Sequence, residues 1–354
     1  METPQAQKVE GVDSPPVITV LITTYNYGRF IEETIDSVVA QEFPAERVQI
    51  LVVDDGSTDD TAERLKRYGS RVEYFRKANG GQASALNVGI AKARGEILAL
   101  LDADDLFLPD KLARVWGEFE QNPELGMVYH RMQEWHMNSG ERREWGDFFA
   151  VSGNAREEPE KFVRYVPQPT SCITFRRSAL AQLLPIPEEI TMLADCYLVA
   201  LIPFQAAVMA IEDCLTVYRI HGRNHYSTGE RRISVETSSK RLRMWRVVIG
   251  AMRKWLEDHR YSRKQPAVRA LLDRWKLLLQ REEFAIRAPG RLQFFWYLLQ
   301  SHRYQRHRMG WRLQVINYFN AAGALVVGYE NFWRLDQQRE SVTRAVRGLL
   351  RGGN

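Results

Sequence analysis

Four times in its first 110 residues this chain runs through the same cycle: a short continuous apolar stretch, an abrupt polar turn, then a helical segment. The apolar stretches are Val17–Ile22 (VITVLI), Gln49–Val53, Val72–Phe75 and Glu96–Leu101 (EILALL). Between them, Arg29–Gln41 sets Ile31, Ile35, Val38 and Val39 on one helical face, and Thr61–Tyr68 and Gln82–Ala93 read as further helices, the second stopped by Gly95. Strands that are apolar at every position are buried on both faces, which requires a mostly parallel sheet flanked by helices. The fold class is therefore α/β, and Pro109 is expected to open the next helix.

The pattern changes further on. Residues 126–146 read as a hairpin turning at Asn138-Ser139-Gly140, residues 147–170 as a polar loop beside a cleft, Cys172–Phe175 as a strand, Thr191–Ala207 as a helix and Leu215–Ile220 as a strand. Beyond about residue 230 only helical periodicity remains, with one stripe of Leu242, Trp245, Val248, Met252 and Trp255 and another of Val268, Leu271, Leu272, Trp275, Leu278 and Leu279. Three divisions follow: a polar, proline-bearing N-terminus (1–16) without the apolar core of a signal peptide, an α/β domain (17–230) and a helical C-terminal domain (231–354).

Charge divides along the same line. Residues 240–354 hold 24 Lys+Arg and 8 Asp+Glu, net +16, so the preceding residues carry the remaining 25 bases and 36 acids, net −11. Such asymmetry suits an acidic module joined to one that meets an anionic surface, although arginines solvating helix faces would produce it too. The helical part also carries the aromatic cluster Phe294-Phe295-Trp296-Tyr297, the basic Arg303, Arg306 and Arg308, and an uncharged run, 313–329, too short and too polar for a good membrane span. Aromatic and basic residues together suit the lipid headgroup level; a helix–helix core is the equal alternative. A composition of 45% apolar and 26% charged residues excludes a disordered or fibrous chain, and three cysteines without paired spacing exclude a disulfide framework or zinc site. The expected compartment is the cytoplasm, with peripheral attachment to the inner face of a membrane as an extension.

Ligands of a parallel sheet bind outside the carboxyl ends of its strands. Here those ends carry Thr23-Thr24-Tyr25-Asn26, Asp54-Asp55-Gly56-Ser57 and Asp102-Ala103-Asp104-Asp105. Five carboxylates facing one crevice would repel each other unless some hold a ligand and others a cation. Asp102 and Asp104 share one side of an extended segment and suit a hard divalent ion, Mn²⁺ or Mg²⁺. No G-x-x-x-x-G-K-[ST] or G-x-G-x-x-G motif is present, but Asn79-Gly80-Gly81-Gln82 precedes a helix N-terminus that would favour phosphate.

The blocks VLITTYNYGRFIEETIDSVVAQ, VVDDGSTDDT, NGGQASALNVGIAKARGEILALLDADD, LADCYL and YRIHGRN, in that order, resemble the family 2 glycosyltransferases of the GT-A fold. The resemblance covers roughly residues 17–226 and implies an inverting transfer from a nucleotide-sugar donor, with UDP as the expected nucleotide, to a glycan or lipid-linked acceptor. By the same resemblance Thr23, Tyr25 and Asp55 hold the nucleotide base and Gln82 lies near the pyrophosphate. Asp102 lies near the ribose, Asp104 ligates the metal, Asp195 removes the acceptor's proton, and His221 reaches the metal or the diphosphate. The family's usual Glu-Asp at the base segment is Ala194-Asp195 here.

Each residue has a plainer reading: DDGS as a capping turn, Asp195 as a helix cap, His221 as a structural histidine. Two other classes stay open, a sugar-nucleotide nucleotidyltransferase and a nucleic-acid-binding protein using the basic half. The first lacks its glycine-rich basic loop after strand one, and the second lacks zinc-finger or RNP-like motifs, so no nucleic-acid partner is expected. A homo-oligomer is compatible with the reading.

Overall fold

The structure is a computed structural model that describes residues 16–145, 148, 150–165, 168–222, 224, 235–305, 321, 322 and 329. Chain contacts divide it into two compact units, Met1–Arg156 with Val166–His225, and Glu157–Tyr165 with Tyr226–Asn354. The N-terminal tail, Arg306, Arg308 and most of the uncharged run 313–329 lie outside the described residues.

The first unit opens with β1 (Ile18–Thr24), α1 (Gly28–Val39), β2 (Val48–Asp54), α2 (Thr61–Leu65), β3 (Val72–Arg76), α3 (Gln82–Lys92) and β4 (Ile97–Asp102). It continues with β5 (Leu106–Phe107), α4 (Lys111–Gln121), β6 (Leu125–His136), β7 (Glu141–Glu144), β8 (Ile173–Arg176), α5 (Ala194–Leu201) and β9 (Ala207–Ile220). The strands form one sheet in the order β3-β2-β1-β4-β8-β6-β9-β5, with β7 pairing β6. β3, β2, β1 and β4 are mutually parallel, as the nearly unbroken burial of the inner three demands, and β9 runs parallel to β6. β8 enters antiparallel between β4 and β6, so the sheet is mixed beyond β4.

One face of this sheet (Ile18, Val20, Ile22, Ile50, Val52, Ile97, Ala99, Leu101) packs on Ile31, Ile35 and Val38 of α1 and on Leu112, Val115 and Phe119 of α4. Each such side chain taken from water contributes about 1.5–3 kcal/mol. On the other face α3 approaches so closely that a Cβ at Gly89 would lie 2.3 Å from Leu21.

Several expectations are corrected. Val39 is 46% exposed and leaves the α1 stripe, because it lies 100° round the helix from Val38. Helix α4 begins at Lys111 rather than Pro109, with Asp110 as its N-cap residue. The helix expected over 191–207 shrinks to α5; Pro203 follows in a short 3₁₀ turn, and the chain is already a strand from Ala207. The stretch 147–170 is not simply a loop, since Val151 exchanges hydrogen bonds with the Tyr129 hydroxyl and Gly153 bridges to Val208.

The second unit contains α6 (Val235–Asp258), α7 (Pro266–Ile286) and α8 (Arg291–Gln305). Leu242, Trp245, Val248, Met252 and Trp255 of α6 are buried as the stripe predicts, and so are Val268 and Trp275 of α7. Proline opens α7 at its first turn, where no N–H is missed. The aromatic cluster of α8 is split: Phe294 is buried with Phe284 and Leu298, and Tyr297 packs against them, while Leu292 and Trp296 are 63% and 54% exposed. No described helix is long and apolar enough to cross a membrane.

Candidate active site

Strands β1, β2 and β4 end level with one another, Thr24 pairing with Asp54 and Thr23 with Asp102. Their turns consequently leave the sheet side by side. Tyr25 stands 45% exposed at this edge, and Asn26, at φ 61°, turns the chain. The Asn26 side-chain oxygen accepts the Thr58 N–H (2.8 Å), which ties the β1 turn to the β2 turn.

The two acids after β2 have separate tasks. Asp54 is fully buried and structural: it accepts the Ser57 N–H (2.7 Å) and the Tyr74 hydroxyl (2.6 Å). It therefore leaves the set of five carboxylates expected in the crevice. Asp55 accepts Lys77 Nζ (2.7 Å) and the N–H groups of Gly80 (3.0 Å) and Gly81 (2.7 Å). A carboxylate offers about four acceptor positions, so roughly one remains for a ligand.

This arrangement corrects the phosphate expectation at 79–82. The Gly80 and Gly81 N–H groups point at Asp55, that of Gln82 at the Thr191 carbonyl (2.9 Å) and that of Ala83 at the Ile190 carbonyl (3.3 Å). The helix N-terminus is thus closed by protein rather than open to an anion. Gly81 is required there: its φ is +86°, and a Cβ would fall 2.6 Å from Thr191 Cα. The Gln82 side chain reaches across instead, its Oε1 accepting the Ala194 N–H at the start of α5 (2.9 Å).

The Asp102–Asp105 turn is held from below by Arg219, which is fully buried. Its Nε donates to the Asp104 carbonyl, Nη1 to Glu33 (2.5 Å) and Nη2 to Thr34 Oγ1 (2.8 Å), while its backbone N–H donates to Asp105 (3.1 Å). Thr34 Oγ1 in turn donates to the Ala103 carbonyl (2.8 Å). Asp105 also accepts the Ser171 hydroxyl (2.6 Å), so it is a structural acid. Burial, then the carboxylates of Asp105, Asp104 and Asp195, push the Asp102 carboxyl well above its usual range.

Asp104 lies 2.9 Å from His221 Nε2, and Arg29 donates to His221 Nδ1 (3.1 Å). Because arginine can only donate, Nδ1 is the acceptor and Nε2 carries the proton towards Asp104. Binding a cation through Nε2 would require that proton to leave. The imidazole rests on Phe30, ring centroids 4.4 Å apart.

Asp195 sits in the first turn of α5, whose N-cap residue is Leu193 at φ 68°. Burial pushes its carboxyl above the ordinary value, opposed by hydrogen bonds from Thr170 and the Cys196 N–H. The Thr170 Oγ1 contact is 3.1 Å. A carboxylate of raised pKa is a stronger base near neutrality.

No group of three or more His, Cys, Asp or Glu side chains arranged to hold a metal occurs among the described residues. Asp104 and His221 nevertheless supply two donors of a type that Mn²⁺ and Mg²⁺ accept, beside acids that raise one another's pKa. Mg²⁺ in particular is commonly held by one or two carboxylates plus substrate phosphates. The residues fit a cation completed by its substrate.

An open sheet of this order, with acids turning out at the ends of its parallel strands and a helical region after it, is a GT-A-type fold. Residues 19–184 match the model described as Glycosyl transferase family 2, which identifies that stretch as a domain of this family. An uncharacterised glycosyltransferase of Nostoc sp. is 30% identical over 224 residues, 59% of this chain and 66% of that protein. The chain spans less than two thirds of that relative and 30% of a rickettsial glycosyltransferase from Rickettsia typhi. Among solved structures, S. aureus TarS in complex with UDP-GlcNAc superposes with a TM-score of 0.52 at 18% identity, covering 87% of this chain and 90% of that one. A mannosyltransferase from Pyrobaculum calidifontis in complex with GDP-Man and Mn²⁺ gives 0.52 at 18% identity, over 96% and 89%. At such identities the likeness is one of fold.

Sequence reasoning missed the residues that hold the acids in place: Arg219, Thr170, Ser171, Lys111 and Arg29. Only Arg29 and Arg219 carried a signal, as parts of the VLITTYNYGRFIEETIDSVVAQ and YRIHGRN blocks.

Proposed function

We propose that the chain is an inverting, divalent-metal-dependent glycosyltransferase that moves a sugar from a nucleotide-sugar donor, UDP-linked in the first instance, to a hydroxyl of a glycan or lipid-linked acceptor, in envelope, exopolysaccharide or lipid-linked glycan synthesis. One observation carries this reading: Asp195, buried and raised in pKa, stands beside Asp102, which in turn neighbours Asp104 at the carboxyl edge of the sheet. The UDP-GlcNAc, GDP-Man and Mn²⁺ held by proteins of similar fold support it.

Tyr25 would stack on the base, Thr23 and the remaining acceptor position of Asp55 would meet its edge, and Asp102 the ribose. Gln82, whose Oε1 accepts the Ala194 N–H, would lie near the pyrophosphate, and Asp104 with His221 would hold the cation. When bound, that cation's chemistry is Lewis-acid relief of charge on the leaving diphosphate. Asp195 takes the proton of the acceptor hydroxyl as its oxygen bonds to the anomeric carbon and the bond from that carbon to the diphosphate oxygen breaks. A single in-line displacement inverts the centre and leaves no covalent intermediate. A nucleotidyltransferase or a nucleic-acid-binding protein would leave Asp195 without a task. A donor screen for nucleoside diphosphate release, with Mn²⁺ or Mg²⁺ and with chelator, tests the reading. Full turnover in chelator, or a product of retained anomeric configuration, would overturn it.

A second reading concerns α8, where exposed Leu292 and Trp296 beside Arg291 favour reversible attachment to an anionic membrane surface, on the cytoplasmic face. Arg303 lies on the same helix. Leu292→Ser with Trp296→Ser should abolish co-sedimentation with phosphatidylserine vesicles; unchanged pelleting would reject it.

A further inference from the structure

One short turn, Thr170–Cys172, meets three of the acids, Asp102, Asp105 and Asp195. The Thr170 hydroxyl donates to Asp195 (3.1 Å) and also lies within hydrogen-bond reach of Asp102. The next residue, Ser171, donates its hydroxyl to Asp105 (2.6 Å) and accepts the Asp102 N–H (3.0 Å). Both residues are buried, and neither belongs to the blocks that carry the family resemblance.

The turn is itself clamped. Lys111, fully buried at the start of α4, donates Nζ to the Ser171 carbonyl (2.6 Å), and Thr216 of β9 donates its hydroxyl to the same oxygen (2.9 Å). A lysine is seldom buried completely unless something requires its charge or its bonds. Here its bonds fix the carbonyl of the residue whose hydroxyl meets Asp105.

We propose that Thr170 and Ser171 are positioning residues that divide the work of the site: Thr170 aims Asp195 at the acceptor, and Ser171, clamped by Lys111, sets the Asp102–Asp105 turn for the nucleotide. The division is chemical. Thr170 has a single proton, and the geometry directs it to Asp195 at 3.1 Å, so its loss falls first on the base and less on the donor's contacts. Ser171 uses its hydroxyl as both donor and acceptor across the acidic turn, so it governs donor geometry and leaves the base untouched. This inference rests on Asp195 being the proton acceptor.

The test uses full-length protein, a panel of UDP-GlcNAc, UDP-Glc, UDP-Gal and GDP-Man, and equilibrium binding of UDP with Mn²⁺, all corrected for the folded fraction by circular dichroism. Thr170→Val keeps the shape and removes the hydroxyl. It should lower kcat about 10–100-fold, the effect of losing one hydrogen bond to a charged group, with KM for the donor and UDP affinity within about twofold. Thr170→Ser should restore most of the rate. Ser171→Ala should weaken UDP binding about 5–10-fold and lower kcat less.

Asp195→Asn is the control that separates the two levels. If it keeps full turnover, or if the unaltered protein turns over no donor in the panel, the base assignment fails and this proposal falls with it. If Asp195→Asn is inactive but Thr170→Val keeps its rate, or if Thr170→Ser is as impaired as Thr170→Val, positioning by the hydroxyl is overturned and the base assignment stands.

Discussion

The two units handle charge in opposite ways. In the α/β unit Asp54, Asp55, Asp104, Asp105, Asp195, Lys111 and Arg219 are all buried, each within hydrogen-bonding distance of named partners. In the helical unit the charges lie mostly on the surface, in pairs such as Arg246–Glu283 (3.0 Å), and the interior is aromatic: Trp245, Trp255, Trp275, Phe284 and Phe294. Arg241 and Glu282 are its buried exceptions. Buried charges are costly and persist where their geometry is needed; exposed pairs add little. The difference identifies the α/β unit as the one built around a polar site and the helical unit as one built around packing.

Substitutions can break that contrast. The largest effect is expected at Asp104, where Asp104→Ala should reduce Mn²⁺-dependent UDP binding by about 100-fold or more, with melting little changed. Calorimetric titration with and without Mn²⁺ checks it, and unchanged affinity would return Asp104 to a structural role. Next comes Arg219→Met, which strands the Asp104 carbonyl and takes from Thr34 Oγ1 its buried donor. A loss of about 3 kcal/mol in urea unfolding is expected.

Lys111 gives a smaller, pH-dependent effect. Burial pushes its ammonium down to about 7, below its unfolded value. Below that pH both states are protonated and the cost of burying charge is present in full. As pH rises from 7 towards 10, the unfolded chain binds a proton that the folded one lacks, so this lysine's contribution to stability improves by at most about 1.4 kcal/mol per pH unit. The stability of the unaltered protein relative to Lys111→Met should therefore grow between pH 7 and 9; a constant difference would mean that Lys111 stays charged. The smallest effect is expected at Arg246→Ala on the helical surface, a shift in Tm of less than about 2 °C. A larger shift would erase the contrast between the units.

How much of this was legible in the sequence follows from what each residue bonds to. Strands β1, β2 and β4 were readable because burial on both faces writes a nearly unbroken apolar run, and β3, buried only at Val72, was readable from its place in the strand–helix cycle. Helix α5 was overextended because LADCYLVALIPFQAAVMA stays apolar from helix through turn to strand, and only Pro203 marks the change. The acids at the strand ends stood out through position alone. Their supports did not, because Lys111 binds the Ser171 carbonyl and Arg219 the Asp104 carbonyl, and main-chain partners leave no trace in residue identity. A charged residue in a sequence is read as exposed, and here that default failed at both.

The contact between His221 and Asp104 joins residues 117 apart, and that between Gln82 and Ala194 joins residues 112 apart. During synthesis the strands up to β4 can pair from nearby sequence, while the acidic turn after them still lacks its histidine, its arginine and the threonine beside Asp195. Site assembly must await closure of that long chain segment, a slow step compared with local pairing. A ribosome-bound fragment ending near residue 190 therefore carries the acidic turn but neither Asp195 nor His221. The complete acidic site arrives late, after β9 has threaded between β6 and β5 and brought the last partners to an edge laid down at the start.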